Sequence, residues 1–418
     1  MYIIEEKEQL FSFSHKSCFV YPILDDNRNH PVNSNLIALY ILFPDETKYI
    51  ININHPDSFN IEFKEIYNYL KQLDDVLCYD KKILLYFFPK LNKKLTSILL
   101  CNFLTNKKIN INLSLYDVFY SKYSQHKNIN YYIPLSKHYE IGNTFDSLVD
   151  FNLPNNLPSG YEYYIENIIP TFFWLEKQGI MNTNNEIEYG LFNLYTLTGR
   201  PSFTHNGINY LALTKDDKAR YKPSNDCFFE FDYSSYHLFL LAKLINYKFP
   251  TKNPHKYLAQ YYFPGEKIVG ELYKQAKQIT FRILYGGRNE YDIEFFNKVN
   301  NLTKKLYTEF LENGYISSFL SKKHIYIDGD DNSPHKILNY YIQSFETEYN
   351  SIKIKDIFSL LKNKKSKLVL YTYDSFLIDY SNEDGVSLLK QIKSILTEDD
   401  FSLKIKYGTN LSNLITKS

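Results

Sequence analysis

Residues 229–241 read Phe-Glu-Phe-Asp-Tyr-Ser-Ser-Tyr-His-Leu-Phe-Leu-Leu, and no other stretch limits the fold of this chain as strongly. Phe228, Phe229 and Phe231 make an apolar, strand-like run that delivers Asp232. Leu238, Leu241 and Leu244 then recur at helical spacing. A carboxylate at the end of a buried strand is costly unless it meets a cation or a donor. Asp232 therefore either caps the following helix or holds a metal ion.

Two later stretches bear on that choice. Residues 273–287 place Lys277, Phe281 and Tyr285 four apart, so one helix carries a cation, a ring and a phenol along one face before stopping at Gly286-Gly287. Taken alone, Lys277 is a helix lysine in a Lys-rich chain, and the aromatic stripe reads equally well as core. Residues 368–380 read as an apolar strand, Asp374, and a second apolar strand.

The order Asp232, then Lys277/Phe281/Tyr285-Gly286, then Asp374 resembles motifs A, B and C of the family A (Pol I-like) DNA polymerases. Thr198-Gly199-Arg200-Pro201-Ser202, followed by Asn206 and Asn209, resembles that family's Thr-Gly-Arg segment. Residues 339–343 resemble the stretch with its glutamine, Gln343, and Tyr407-Gly408-Thr409-Asn410 resembles the closing Gly-x-Asn strand. The likeness runs from about Tyr161 onward and suggests a phage- or plasmid-type member. It implies a multidomain α+β and α/β fold: a right-hand polymerase palm built on an antiparallel sheet, helical fingers, a reduced thumb and an N-terminal ribonuclease-H-like, exonuclease-type α/β domain. The expected divisions are 1–135 (degenerate 3′-5′ exonuclease-like), 136–160 (linker), 161–197 (reduced thumb and connecting helix), 198–245 (palm), 246–330 (fingers) and 331–418 (palm).

Composition permits this and points to no partner by itself. The chain has 418 residues, enough for two or three cores. Its 44% hydrophobic and 23% charged residues are those of a soluble globular protein. Its 17% aromatic content is spread throughout and reads as nucleotide bias. A net charge of +1 means that nucleic-acid binding would need a local basic track. Cys18, Cys78, Cys101 and Cys227 lack metal spacing, so a reducing compartment and no zinc site are expected. No membrane span or signal peptide is read, and the expected location is the cytoplasm, that of a bacterial host for a phage protein.

In the first 135 residues, strands are expected over 18–24, 36–43, 48–53 and 76–79, and helices over 63–73 and from Lys81. The order resembles the family's proofreading domain, whereas the chemistry departs from it. A two-metal nuclease needs converging carboxylates. The first strand holds none, Asp25 and Asp26 follow it in a turn, and Asp80 and Asp117 lack matching neighbours. An inactive, structural or DNA-touching domain is expected.

Residues 136–160 are rich in Asn, Pro, Gly and Ser. An amphipathic helix over 161–179 contains Pro170, a kink position. Only 180–197 then precede the Thr-Gly-Arg segment, where the family places a long helical thumb. Weak, salt-sensitive DNA binding and short extension runs follow, with a processivity or replisome protein able to supply the grip. Further on, helices are expected over 255–262, 266–284, 303–313, 339–361 and 388–396. Strands or helix ends are expected over 315–319 and 324–327, a surface turn at 328–331 and a last strand over 401–407.

The resemblance implies two Mg²⁺ or Mn²⁺ ions held by Asp232, Asp374 and the backbone carbonyl of Tyr233, which is two-metal phosphoryl transfer. It assigns Lys277 to the nucleotide phosphates, Phe281 to the incoming sugar and base, and Tyr285 to stacking near the templating base. Arg200, Asn209, Gln343 and Tyr373 join Tyr285 on primer-template DNA. Four departures stand out. Tyr273 replaces an arginine, and Lys274 beside it takes over one phosphate contact without the bidentate fork. Arg282 stands where glycine is usual. Tyr373-Asp374-Ser375 lacks the third carboxylate of motif C. His237 replaces a glutamate that excludes ribose 2′-hydroxyls, which implies weaker discrimination against ribonucleotides; the alternative is a helix histidine bonded to Tyr273 or Tyr285. The expected activity is primer extension with dNTPs. The competing readings are a catalytically weak or inactive DNA-binding or replisome protein, and a single-subunit RNA polymerase.

Overall fold

The computed structural model describes residues 2–25, 30–55, 58–107, 148–327, 332–398 and 400–416. The chain divides into two compact units, 1–161 with 205–207, and 162–204 with 208–418.

The first unit runs β1 (Tyr2–Ile4), α1 (Lys7–Phe11), β2 (Ser17–Leu24), β3 (Leu36–Leu42), β4 (Lys48–Asn52), α2 (Phe63–Gln72), β5 (Asp75–Cys78), α3 (Lys81–Phe87), β6 (Leu95–Ser97) and α4 (Ile98–Leu104). Its sheet has the order β1-β4-β3-β2-β5-β6. β2, β3 and β4 are antiparallel neighbours, and the outer pairings are parallel. Every residue of β3 is buried, as in a strand covered on both faces. The long elements fall where periodicity puts them; β1, β6, α1 and α4 were not expected. The end of the anticipated linker is tied down: Leu148, Val149, Phe151 and Leu153 pack on this core. Asp25 accepts hydrogen bonds from Asn35 (backbone N 2.9 Å, Nδ2 2.7 Å), and Asp80 caps α3 through the Lys82 N–H at 2.9 Å. Asp26, Asp117 and the turn at 328–331 lie outside the described residues.

The helix expected over 161–179 forms in three pieces: Tyr161–Tyr163, a π-turn over Tyr164–Ile168, and α5 (Ile169–Glu176). Pro170 falls at the start of α5, where its missing N–H costs least. Residues 180–197 contain only the short strands β7 (Ile180–Asn182), β8 (Ile187–Glu188) and β9 (Phe192–Asn193), and no helix. β10 (Ser202–Phe203) pairs with β9, and β11 (Tyr221–Lys222) with β7.

The rest of this unit is β12 (Cys227–Ser234), α6 (Tyr236–Leu244), α7 (Pro254–Tyr262), α8 (Gly270–Leu284), α9 (Glu294–Asn313), β13 (Tyr315–Ser317), β14 (His324–Tyr326), α10 (Pro334–Leu361), β15 (Lys367–Thr372), β16 (Ser375–Tyr380), α11 (Val386–Leu396), β17 (Ser402–Gly408) and β18 (Ile415–Thr416). The stretch around 315–327, open between strand and helix in the sequence, is a β13–β14 hairpin. α8 begins at Gly270, four residues later than expected, because Glu266 belongs to the turn closed onto the Phe263 carbonyl.

β12 is the middle strand of an antiparallel sheet ordered β15-β16-β12-β17-β18. Along β12, Phe229, Phe231 and Tyr233 are buried, while Glu230 and Asp232 alternate onto the opposite, partly open face. In register with β17, Asp232 lies opposite Lys404 and Glu230 opposite Lys406. Those four charged side chains therefore share one face. No described helix is long and apolar enough to cross a membrane.

Candidate active site

Asp232 is an interior residue of β12 and caps nothing. The N-cap of α6 is Ser235, at φ +59° and without a side-chain cap bond. β15 and β16 join in a tight turn, in which the Asp374 N–H donates to the Thr372 carbonyl at 2.9 Å around Tyr373 at φ +64°. The two aspartate-bearing segments meet directly: the Tyr233 N–H donates to the Asp374 carbonyl at 2.8 Å. Left-handed backbone at non-glycine residues costs about 1–2 kcal/mol each and persists only where the surroundings hold it. Asn350 of α10 provides much of that hold. Its Nδ2 donates to the Tyr373 carbonyl (2.7 Å) and the Tyr371 hydroxyl (2.9 Å), and its Oδ1 accepts from the Tyr236 hydroxyl (2.5 Å). Tyr233 stacks on Tyr236 at 4.2 Å and donates through its hydroxyl to the Leu396 carbonyl.

Burial raises the Asp374 pKa, the charge of Asp232 raises it further, and Glu346 adds to the effect against the opposing pull of Arg200. A carboxyl group whose ionisation is opposed by burial and by a neighbouring carboxylate is a donor that a hard cation would relieve. One Asp232 oxygen already has a cation, since Lys406 Nζ lies 3.0 Å from Asp232 and 2.5 Å from Glu230. Lys406 is desolvated, which lowers its pKa, and its bonds to Glu230 and Asp232 more than reverse that, leaving it raised. Among the described residues no cluster of three or more His, Cys, Asp or Glu side chains is arranged as a metal site.

Beside the aspartates, Arg200 donates to Glu346 Oε2 through Nε (2.8 Å) and stands 2.5 Å from it through a terminal nitrogen. Its guanidinium lies 4.1 Å over the Tyr373 ring. His237 Nε2 is 3.3 Å from the same terminal nitrogen and 3.7 Å from Glu346 Oε1. His237 thus faces Arg200 and Glu346, and it bonds neither Tyr273 nor Tyr285, the partners of the alternative reading. The physical reason is Glu346, whose side chain is 1% exposed and gathers the polar groups around it. Glu346 Oε1 has no hydrogen-bond partner among the described residues.

Phe281 of α8 and Tyr285 at its C-cap stack at 6.3 Å and 15°, 38% and 52% exposed, so these rings stand outside the core. Gly286 needs its φ of +100° and has no room for a Cβ, which would come within 2.9 Å of His335. Lys277 lies 4.9 Å over the Tyr273 ring. Lys274 is ion-paired with Glu271 at 3.2 Å. Gln343 donates to Asn339 at 3.2 Å along α10, and Asn209 closes a local turn by accepting from the Leu211 N–H. Asn410, in the closing segment, donates to the Ala219 carbonyl at 2.6 Å.

Glu230, Glu346, Asn350 and Lys406 were not singled out from the sequence. Glu230 could have been, since it lies two residues before Asp232 on the same strand face. Lys406 becomes a neighbour only through sheet register, and Glu346 and Asn350 only through docking of α10.

No family model and no curated protein matches the chain. Among solved structures, the polymerase domain of Pol1 from M. smegmatis, in complex with DNA primer-template and dNTP, superposes with a TM-score of 0.65. Sequence identity is 11%, and the superposition covers 99% of each chain. The chain is thus a remote structural relative with a mixed α/β architecture like the palm, fingers and thumb of that Pol I fold.

Proposed function

We propose that the chain is a template-directed DNA polymerase that adds dNTPs to a primer 3′-hydroxyl. The supporting observation is the direct backbone bond between the segments carrying Asp232 and Asp374, beside a helix presenting Lys277, Phe281 and Tyr285. Fold likeness to a polymerase domain agrees with it. Asp232, Asp374 and the Tyr233 carbonyl would hold two Mg²⁺ or Mn²⁺ ions, which supply Lewis-acid charge to the attacking hydroxyl and the pyrophosphate leaving group. The oxygen-only donor set suits such ions, provided that Lys406 yields its place on Asp232.

The chain's own groups do the rest. Lys277 places a compact positive charge where the phosphates gain negative charge. Phe281 and Tyr285 offer stacking faces that accept any base. Arg200, Tyr373, Asn209 and Gln343 are assigned to the primer-template. Arg200 reaches it from its Glu346 pair, a geometry that checks base-pair shape without reading sequence. The first unit is assigned as a degenerate exonuclease-like domain, and a processivity protein as the partner that lengthens extension.

One observation favours a second reading, a DNA-binding protein without catalysis: Lys406 already neutralises Asp232. Extension of a labelled primer at low salt separates the two. Supplied with Mg²⁺ or Mn²⁺ and either dNTPs or rNTPs, the chain should give a templated ladder. Asp232→Ala and Asp374→Ala should each lower it by more than about 10²-fold while sparing primer-template affinity. Folded protein that binds primer-template and extends it with neither metal nor sugar would establish the second reading.

A further inference from the structure

The face of α8 that carries Lys277 and Tyr273 borders a cavity of about 690 Å³. Its wall continues across the end of β12 at Tyr233 and Ser234, the start of β17 and the N-terminus of α7. Four lysines line it: Lys252 just before α7, Lys256 in its first turn, Lys277 from α8 and Lys404 from β17. No carboxylate lines it, and none of the four lysines has an ion-pair partner among the described residues. In a chain of net charge +1, four unneutralised cations around one hollow form a marked local excess. Such an excess is held at a cost in mutual repulsion unless an anion visits it.

The backbone adds to the field. α7 opens with Asn253 as N-cap, whose side chain accepts from the Lys256 N–H at 3.0 Å, and with Pro254 in its first turn. Its positive dipole end borders the same cavity as Lys252 and Lys256. Tyr273, where the sequence lacks a forked cation, turns its hydroxyl to Asn253 at 3.4 Å and so braces that helix start. Lys274, the residue first expected to replace the missing cation, is neutralised by Glu271 and does not line the cavity. Lys404 stands directly across from Asp232 in the sheet. The cationic hollow therefore begins next to the aspartates, within the reach of a short, flexible polyanion.

We infer that this cavity grips the polyphosphate tail of the incoming nucleotide, and that Lys252, Lys256 and Lys404 supply, from outside α8, the charge that Tyr273 does not. The inference rests on the polymerase reading for its nucleotide. The phosphate chemistry itself can be tested without that reading.

The test is calorimetric titration of the full chain with inorganic tripolyphosphate in EDTA at low salt, alongside steady-state extension kinetics. Lys256→Ala and Lys404→Ala should each weaken tripolyphosphate binding about tenfold, and Lys256→Glu more than that. Lys365→Ala, which removes an ammonium paired with Glu383 outside the cavity, should leave binding unchanged. In extension assays the cavity variants should raise KM for dNTP about tenfold with kcat nearly constant, because the contact is made in ground and transition states alike. Unchanged tripolyphosphate affinity in the folded Lys256→Ala/Lys404→Ala double variant would overturn the inference, as would no tripolyphosphate binding by the parent. Weakened primer-template binding with unaltered tripolyphosphate binding would also overturn it and assign the lysines to the DNA backbone. Lysine-dependent tripolyphosphate binding without templated extension would support the grip and sink the polymerase reading instead.

Discussion

Burial and the neighbouring Asp232 both raise the pKa of Asp374, so its ionised form is a cost to the folded chain at neutral pH. The native state keeps a proton that the unfolded chain releases near the ordinary carboxylate value of about 3.9. Stability therefore falls as pH rises from that value through the raised one, and the full cost is present above it. Asp374→Asn should raise the thermal midpoint at pH 7 in EDTA while abolishing extension, and the gain should shrink as pH falls towards about 4. An unchanged midpoint at pH 7 would contradict this. Glu346 poses the opposite problem, because it is buried and its charge is met mainly by Arg200. Arg200→Ala leaves that carboxylate without its guanidinium and should cost about 3 kcal/mol in urea unfolding. Glu346→Gln, which removes the buried charge itself, should cost less. Equal losses would mean that the guanidinium contributes through its stack on Tyr373 and not through the ion pair.

At the scale of elements, both aspartates sit beside left-handed turn residues, Ser235 after β12 and Tyr373 between β15 and β16. Ser235 carries no cap bond, so glycine there gives up little and relieves the backbone. Ser235→Gly should be neutral or stabilising by up to about 1 kcal/mol, and Ser235→Val destabilising by about 1–2 kcal/mol, as read by urea midpoints. The elements themselves were largely legible. β12 was announced by Phe228, Phe229 and Phe231, α8 by the four-residue recurrence of Lys277, Phe281 and Tyr285, and the β15–β16 hairpin by apolar runs around Asp374. The three-residue strands β1 and β6 are too short to show alternation. The π-turn before Pro170 is a local backbone departure that no apolar pattern encodes. Asp232 and Asp374 were readable because local strand signals frame them. The partners of Arg200 and His237 were not, because Glu346 lies 146 residues from Arg200 along the chain and reaches it through tertiary packing alone. Lys404 and Lys256 looked like any other surface lysine until sheet register and the start of α7 brought them to one hollow.

For the whole molecule, cation placement matters more than net charge. Residues 180–197 form short strands without a helix, so this segment offers no long arm to lie along a duplex. With few phosphate contacts, primer-template affinity should fall by about 10²-fold between 50 and 200 mM salt, against about 10³–10⁵ for proteins making six to ten contacts. Extension ladders should be correspondingly short. Affinity that hardly changes with salt, or long products from the chain alone, would refute this. Asn350 has a further bearing, on the order in which the molecule is made. Its amide ties Tyr236, 114 residues earlier, to Tyr371, 21 residues later, so the site closes through contacts distant in sequence. Such contacts form late in folding, because loop closure must precede them. During synthesis β12 and α6 emerge well before α10 and the β15–β16 hairpin that complete their surroundings. Until those arrive, Asp232 has its strand but neither Asp374 nor the amide that fixes the turn beside it. The two aspartates and the turn that joins them are thus brought together only in the last stages of folding, and a partly made chain holds the first aspartate without the second.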